Sequence, residues 1–294
     1  MIEKENKISN SNPTQTHSFA PPSEGLGEAS TMKNDYRYIE IQHKGQIIGI
    51  NLNRPERHNA LILEMIDELD QALEKISGMN EVLFVVLSGN GRSFCAGADL
   101  NWFYSSEEHS IEQSIEQYKH LADLLLRLFQ LPQITIAAVR GNVFGGGIGL
   151  MAACDFVLAE ANTRFMFSEV KLGLLPATIL PFVANRLSVQ NLRKWILTGN
   201  LFVVNEAHRI GLVDKIYSEE NFESELSALI ASFKSASPSA VKKAKQLIND
   251  VVSGSIDVTD TKATSTILAK ALLSPDGQEG IHAFFDKRKP EWGK

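Results

Sequence analysis

Two uninterrupted apolar runs restrict the fold of this chain more than any other feature. They are VLFVVLSG at residues 82–89 and ITIAAVRG at residues 134–141, and each leads into a loop of small residues. Short runs that are apolar at almost every position are typical of strands buried on both faces of a parallel sheet. Residues 111–129, which lie between the runs, show helical periodicity. The segment therefore predicts a strand, helix, strand unit of an α/β fold.

The rest of the chain divides into three predicted regions. Residues 1–34 are rich in Ser, Asn, Thr, Pro and Glu and poor in aliphatic residues, which predicts a disordered extension. Residues 35–200 form the predicted core, because the strand patterns lie there together with an amphipathic helix. The core patterns are a hairpin within 38–52, a helix over 62–76, and strands at 155–160 and 164–169. Residues 201–294 are predicted to form a helical C-terminal region.

Composition and charge disfavour several classes of function. The net charge of -6 and the pI of about 5.7 argue against a nucleic-acid partner. No apolar stretch reaches the ~20 residues of a membrane-spanning helix, so no membrane partner is expected. Cys95 and Cys154 lack disulfide or metal-ligand spacing and are expected to be reduced core residues. The absence of an apolar signal region near the N-terminus favours a cytoplasmic protein.

Two loops that follow the apolar runs contain most of the candidate ligand-binding positions. They are SGNGRSFCAGADL at 88–100 and GNVFGGGIGL at 141–150, and ligands of α/β sheets bind beyond the carboxyl ends of strands. The glycines form neither a GxGxxG motif nor a P-loop, which disfavours a nucleotide site. Tight packing of a helix on a strand is one interpretation. The other is a backbone amide at a helix N-terminus that stabilises a developing negative charge, with a second donor from Cys95–Asp99.

Glu169 is the carboxylate best suited to transfer protons. It stands among apolar residues at the end of the predicted strand RFMFS, and such surroundings raise the pKa of a carboxyl group. A structural ion pair with Lys171 or Arg164 is the alternative. Asp99 is predicted to cap a helix rather than to act in catalysis. The chain has no GxSxG motif, which disfavours an α/β-hydrolase nucleophile.

Five segments of the chain resemble those of a known family. SFCAGADL, GNVFGGGIGLMAACD and FSEVKLGLLPA are similar to signature segments of the crotonase (enoyl-CoA hydratase/isomerase) superfamily, and LNRPERHNAL and FFDKRKPEW resemble its ends. The resemblance covers roughly residues 36–294. It implies a crotonase-like spiral of ββα units with a helical C-terminal region for trimerisation. The implied assembly is a homotrimer, or a hexamer made of two trimers.

The resemblance also implies the ligand and the residues that bind it. The ligand would be an acyl-CoA thioester, so coenzyme A is part of the substrate, and no separate cofactor and no metal are expected. The amides of Ala98 and Gly146 would stabilise an enolate, and Glu169 would transfer the proton. The implied CoA-binding positions, with Lys287 reaching a phosphate in its own or a neighbouring subunit, are Arg57, Ala96, Gly97, Ala98, Asp99, Leu100, Gly146 and Lys287.

One position departs from the family pattern. Hydratases of this family carry a first glutamate in a GGGxE pattern, and this chain has Gly149 there. Glu169 would then have to deprotonate water and return the proton to C2, or a loop residue would have to help hold the water. Family members with a single glutamate at the Glu169 position also include Δ3,Δ2-enoyl-CoA isomerases, in which one base moves a proton between two carbons. The segments ADLNW, GGGIGL and SEVKLGLLPA resemble the bacterial methylglutaconyl-CoA hydratase branch of leucine and isoprenoid catabolism. We therefore expect hydration of a 2-enoyl-CoA, and isomerisation or a catalytically degenerate acyl-CoA-binding or RNA-binding scaffold is the alternative.

Overall fold

The computed structural model describes residues 30–31, 36–104 and 109–293 of the chain. Its strands are β1 Ser30–Thr31, β2 Ile39–Lys44, β3 Ile47–Leu52, β4 Phe84–Gly89, β5 Ile134–Val139, β6 Asn142–Phe144, β7 Phe156–Glu160, β8 Arg164–Met166, β9 Phe202–Val203 and β10 Lys215–Tyr217. Its α-helices are α1 Leu63–Ser77, α2 Leu100–Tyr104, α3 Ile111–Gln130, α4 Gly146–Ala152, α5 Leu180–Ala184, α6 Val189–Thr198, α7 Val204–Arg209, α8 Phe222–Ser232, α9 Pro238–Val252, α10 Thr261–Leu272 and α11 Pro275–Phe285. Short 3₁₀ turns cover Pro55–Arg57, Glu169–Leu172, Glu219–Asn221 and Glu291–Gly293.

The main sheet has seven strands within the described ranges, in the order β1-β2-β3-β4-β5-β7-β10. β2 and β3 form an antiparallel hairpin. The other neighbouring pairs from β3 onward in this sheet, formed by β3, β4, β5, β7 and β10, are parallel. The two apolar runs form β4 and β5, which lie side by side with Phe84 opposite Ile134. Every residue of β3, β4 and β5 is buried, which explains why their sequences lack polar alternation. The predicted α/β fold is confirmed.

Helices cover both faces of the main sheet. α1 and α3 pack against one face, and their buried side chains recur at helical spacing. On α1 these are Met65, Ile66, Leu69, Ala72, Leu73 and Ile76, and on α3 they are Leu121, Leu124, Leu125 and Leu128. On the other face, Leu226 of α8 packs into a second cluster with Phe84 and Ile134. The helices predicted over 62–76 and 111–129 correspond to α1 and α3, because one apolar stripe on each helix faces the sheet.

Strands continue beyond the predicted boundary at residue 200. β9 pairs with β8, and β10 pairs in parallel with β7, so both sheets include residues from the predicted helical region. β9 and β10 are two and three residues long, too short to show a period in the sequence. The longer helices follow them, and α9 begins at the predicted Ser237–Pro238, where the Ser237 hydroxyl accepts from the Ala240 amide at 3.1 Å. The division at residue 200 stays a prediction.

The predicted extension over residues 1–34 lies outside the described residues, apart from Ser30–Thr31, which pair antiparallel with β2. In the ranges that the structure covers, no helix has both the length and the apolar character needed to cross a membrane. Cys95 and Cys154 are buried free thiols, and burial raises the pKa of each to about 12. Neither cysteine therefore offers a thiolate nucleophile at neutral pH.

Candidate active site

A second, small sheet brings the glycine cluster and Glu169 to the same place. Its strand order is β6-β8-β9, and β6 runs parallel to β8 with Phe144 opposite Met166. β6 leads directly into Gly145 and α4, whereas β8 leads through two residues into the 3₁₀ turn that begins at Glu169. The Gly145 amide donates to the Met166 carbonyl at 3.0 Å. The start of α4 and the Glu169 carboxylate therefore follow two strands that lie side by side.

The strand predicted over 164–169 is shorter in the structure and ends at Met166. The chain then turns, because the Lys171 amide donates to the Ser168 carbonyl at 3.1 Å and closes the first 3₁₀ bond. Glu169 is thus the first residue of a turn rather than the last residue of a strand. The direction of its side chain is therefore not set by the alternation of side chains along β8.

The loop after β4 places the Ala98 amide at the edge facing β6. Leu61 pairs with this loop, since its amide donates to the Gly97 carbonyl at 2.8 Å and its carbonyl accepts from the Asp99 amide at 2.9 Å. In an extended segment, successive backbone N–H groups point to alternate sides of the strand. Because the Asp99 amide points to Leu61, the Ala98 amide points to the other side of the loop. β6 lies at that edge and forms a bridge to the loop at Cys95. Among the described residues, no backbone carbonyl accepts from the Ala98 amide.

Gly146 opens α4 close to the Ala98 amide. A Cβ atom built on Gly146 would lie 4.0 Å from the Ala98 nitrogen and 3.0 Å from Leu61 Cδ1. First-turn amides of a helix have no intrahelical acceptor and lie at the positive end of its dipole. No carbonyl within the described ranges accepts from the Gly146 amide. The structure thus brings the two predicted donor positions together beside the end of β6.

The carboxylate of Glu169 lies against the main chain at the start of α4. Gly145 has φ 45° and ψ -117°, and a Cβ atom there would be 3.1 Å from Glu169 Oε1. A side chain at position 145 would therefore be strained by its own backbone and would also crowd the carboxylate. Glycine at this position allows Glu169 to approach the helix start closely.

Partial burial favours the protonated form of Glu169. Its Oε2 atom is buried and has no hydrogen-bond partner among the described residues. Desolvation by burial raises the pKa of Glu169 above its ordinary value, and its own backbone amide offsets part of that effect. In the described structure neither Lys171 nor Arg164 forms the alternative ion pair with this carboxylate. A buried acceptor without a donor is available to a bound molecule.

Asp99 fixes the loop that carries Ala98. Its Oδ1 accepts from the Asn101 amide at 3.0 Å, which confirms the predicted helix cap at the start of α2. Its Oδ2 accepts from Arg54 Nη1 at 2.7 Å, and the same nitrogen donates to the Ala60 carbonyl at 3.0 Å. Burial acts to raise the pKa of Asp99, but the Arg54 guanidinium and the Asn101 amide together hold it below its ordinary value. No local pattern predicts Arg54, because its partner is 45 residues away.

Gly149, where the family pattern has a glutamate, faces Ile179. A Cβ atom built on Gly149 would lie 2.3 Å from Ile179 Cγ2 and 2.9 Å from Ile179 Cβ. No side chain fits at position 149 unless Ile179 moves, because both distances are shorter than real Cβ contacts. Ile179 was not predicted as a site neighbour, since nothing near it in sequence indicates which helix it meets.

The predicted CoA-binding residues lie partly on the loop that carries Ala98. Ala96 and Gly97 precede Ala98 on that loop, and Leu100 opens α2 with 62% of its surface exposed. Arg57 is exposed on the 3₁₀ turn that joins the same region. The turn is attached to the loop because the Ala96 amide donates to the carbonyl of the residue after Arg57 at 3.0 Å.

Lys287 stands apart from this group within one chain. It follows α11 with φ 56° and an exposed side chain. α11 is joined to the start of α9 through Asp276, whose Oδ2 accepts from the Ser239 hydroxyl at 2.6 Å. Further along α9, Lys245 Nζ bonds the Gln133 carbonyl at 2.8 Å, just before β5 begins. Among the described residues, no hydrogen bond joins Lys287 to the loop around Ala98.

Comparison with known proteins gives the family of the chain. The family model described as enoyl-CoA hydratase/isomerase matches residues 42–294. A Thermus thermophilus protein with the provisional name enoyl-CoA hydratase is 33% identical over 251 residues, which are 85% of this chain and 98% of that protein. The short-chain-enoyl-CoA hydratase of Clostridium acetobutylicum is 32% identical over 256 residues, 86% of this chain and 96% of that enzyme. The crystal structure of an enoyl-CoA hydratase from Shewanella pealeana has a TM-score of 0.83 at 33% identity, over 88% of this chain and 97% of that chain.

Two adjacent amides and a buried carboxylate, beyond the carboxyl ends of parallel strands, are typical of enzymes that stabilise an oxyanion. Within that class, the chain is an enzyme that belongs to the enoyl-CoA hydratase/isomerase family and has the crotonase fold. The predicted superfamily and fold are confirmed. The comparisons do not single out the methylglutaconyl-CoA hydratase branch.

Proposed function

We propose that the protein adds water to the C2=C3 double bond of a 2-enoyl-CoA thioester. The observation that carries this proposal is the buried Oε2 of Glu169, which has no partner among the described residues and belongs to a carboxylate beside the first turn of α4. Membership of the enoyl-CoA hydratase/isomerase family supports the thioester as substrate. No metal and no separate cofactor are part of this proposal.

In the proposed reaction, the thioester oxygen accepts from the amides of Ala98 and Gly146. The Glu169 carboxylate takes a proton from water while the water oxygen bonds to C3, and the electron pair of C2=C3 moves onto the thioester as an enolate. Loss of one donor from such an oxyanion hole typically lowers a rate by about 10²–10³-fold. The protonated Glu169 then gives its proton to C2, which yields the 3-hydroxyacyl-CoA and restores the carboxylate.

The CoA moiety is proposed to lie along the loop from Ala96 to Leu100. Arg57 is exposed beside this loop and is proposed to contact a phosphate, because its guanidinium suits a bidentate phosphate contact. We assign Lys287 to a phosphate of a neighbouring subunit's ligand, since no described contact brings it to the site of its own chain. The proposed acyl group is 3-methylglutaconyl, which the resemblance of the segments around Ala98, Gly146 and Glu169 supports. The cytoplasmic location stays a prediction.

Isomerisation of a 3-enoyl-CoA is the second candidate function. It is favoured by Ile179, which fills the space next to Gly149 where a second carboxylate would have to lie. In that reaction Glu169 takes a proton from C2, the electron pairs shift through the thioester, and the same proton returns at C4. Water takes no part, so a single carboxylate is sufficient.

A substrate panel tests the proposal and separates the two candidates. The purified protein is incubated in deuterated water with crotonyl-CoA, 3-methylglutaconyl-CoA and a 3-enoyl-CoA, and the products are identified by mass spectrometry. A 3-hydroxyacyl product supports hydration, and a shifted double bond without added water supports isomerisation. Tight thioester binding without turnover across the panel would instead indicate a degenerate binding protein and overturn the proposal.

The raised pKa of Glu169 gives a prediction for the pH dependence of the reaction. We expect kcat/KM to fall at acid pH with an apparent pKa above the ordinary glutamate value of about 4.3. The ionised carboxylate is the proposed base, and desolvation causes it to protonate at a higher pH than an exposed glutamate. The measurement is a pH–rate profile, with CoA affinity followed over the same range as a control. A constant rate down to the ordinary value would contradict the assignment.

We also propose that subunits associate as a trimer or hexamer through the C-terminal helices. Large apolar side chains are exposed on and next to α10 and α11, which is unusual for a free surface; they are Leu268, Leu272, Leu273, Ile281, Phe284 and Phe285. The double substitution Phe284→Glu, Phe285→Glu is expected to lower the molar mass measured by light scattering. Ile115→Glu, at an exposed position on α3, is the control and should leave the mass unchanged. A monomeric wild-type protein would refute this assembly.

A further inference from the structure

One face of α4 leads from the proposed oxyanion site into the packed interior. Position 146 on this face lies next to Leu121 of α3, and position 149 lies next to Leu125, one helical turn further along both helices. The Gly149 amide donates to the Gly145 carbonyl at 3.3 Å, so position 149 begins the turn directly beneath the site. A side chain at position 149 would therefore extend from the same helix face that carries the Gly146 amide.

Ile179 occupies the space into which such a side chain would extend. It stands directly before α5 and is 1% exposed, and its carbonyl accepts from the Val183 amide at 3.1 Å. The atoms that a Cβ on position 149 would meet are Ile179 Cγ2 at 2.3 Å and Cβ at 2.9 Å. Cβ is fixed to the backbone and cannot rotate away, whereas Leu125 Cδ1 at 3.4 Å is in ordinary contact. The barrier at this position is therefore Ile179 and not the wall formed by α3.

We infer that Ile179 is a positioning residue that limits the site to a single carboxylate and thereby sets the balance between water addition and double-bond shift. This inference rests on the proposed function. Water addition gains from a second group that holds and deprotonates the nucleophile, whereas a proton shift between two carbons needs only Glu169. With glycine at position 149 and Ile179 in the space that a side chain there would need, no second carboxylate can hold the water, whereas the proton shift is unaffected.

Three variants test the inference directly. Gly149→Glu alone is expected to lower Tm, because the new side chain collides with Ile179. Adding Ile179→Gly removes both colliding atoms and is expected to restore part of the lost Tm. In that double variant the ratio of 3-hydroxyacyl product to shifted double bond should rise by about tenfold or more, since a positioned base contributes about 10²–10⁴ in rate. The double variant Gly149→Gln, Ile179→Gly has the same shape without the charge and should show no such rise.

Two results would overturn the inference. One is a Gly149→Glu variant as stable as the wild type, and the other is an equal product ratio in the glutamate and glutamine double variants. If the double variants do not fold, the loss of Tm caused by Gly149→Ala is compared in three backgrounds. The three backgrounds are the wild type, Ile179→Ala and Ile179→Val. The loss of Tm should be smaller in Ile179→Ala, which lacks Cγ2, and the same as in the wild type in Ile179→Val, which keeps Cγ2. Equal losses in all three backgrounds would also refute the inference, whereas absence of wild-type turnover would refute only the proposed function.

Discussion

Replacing Glu169 with glutamine is expected to lower kcat by about 10²–10⁴-fold, the usual contribution of a positioned acid or base. Both candidate reactions route their proton through this carboxylate, so the loss should appear on a 2-enoyl-CoA and on a 3-enoyl-CoA. Glutamine keeps the shape and a hydrogen-bonding oxygen but cannot take up the proton. Steady-state assays of hydration and of double-bond shift measure the effect.

The same substitution is expected to leave the free energy of unfolding unchanged or to raise it at neutral pH. Burial raises the pKa of Glu169, so the folded protein binds this proton more tightly than the unfolded chain does. Stability then falls as the pH rises from the ordinary pKa through the raised one, and at neutral pH the folded state bears the cost of a buried charge. Glutamine removes that charge. An inactive protein with undiminished Tm therefore separates a chemical role from a structural one.

Glu74→Gln is a matched control for this experiment, because Glu74 is exposed on α1. It should leave both kcat and Tm close to wild-type values. Full turnover by Glu169→Gln on every substrate that the wild type converts would show that the proton passes through another group. A parallel loss of activity and stability would instead indicate that the side chain only supports the fold.

Replacing Gly147 with alanine is expected to lower kcat by about 10²-fold and the free energy of unfolding by about 1–3 kcal/mol. A Cβ atom there would lie 2.4 Å from the Cys95 carbonyl oxygen and 2.9 Å from Cys95 Cβ. The colliding oxygen belongs to the backbone, so α4 and the loop that carries Ala98 must move apart. That movement separates the Ala98 and Gly146 amides, which the proposed enolate needs at one fixed spacing. Chemical denaturation and assays well below Tm measure the two effects.

Gly78→Ala is the control for the glycine substitution. Gly78 has φ -82°, and a Cβ atom there would be 3.7 Å from the Lys75 carbonyl oxygen, which is ordinary contact. Its stability should stay within about 0.5 kcal/mol of wild type, with unchanged turnover. If Gly147→Ala destabilised the protein but kept full kcat, the spacing of the two amides would not control the reaction.

The Arg54 ion pair shows how the loop depends on residues outside it. Arg54 donates to both Asp99 and the Ala60 carbonyl, so one side chain ties the segment that contains Leu61 to the loop that carries Ala98. The loop is held at the site by this pair and by the backbone bonds of Leu61. The position of the Ala98 amide thus depends on two chain segments, residues 54–61 and 95–99, that are distant in sequence.

The apolar runs were informative because a strand buried on both faces needs apolar residues at nearly every position. β5 begins at the predicted residue 134, and β4 begins two residues after the predicted 82. The glycine cluster and Glu169 were recognisable for a similar reason, since their residue types reflect the local backbone and surroundings. β9 and β10 were missed, because strands of two and three residues take their form from the strands they pair with.

Local sequence was thus sufficient for the order of the main elements and for the segments that form the candidate site. It was not sufficient for the contacts that give the site its properties. Arg54 meets Asp99, and Ile179 fills the space beside Gly149, only because the folded chain brings distant segments together. The spacing of apolar residues and the local composition indicate only the surroundings of a residue within a few turns or strand positions. Close packing between segments that are distant in sequence leaves no such local pattern. The sequence thus shows that position 149 carries no carboxylate, but only the tertiary structure shows that Ile179 occupies the space a side chain there would need.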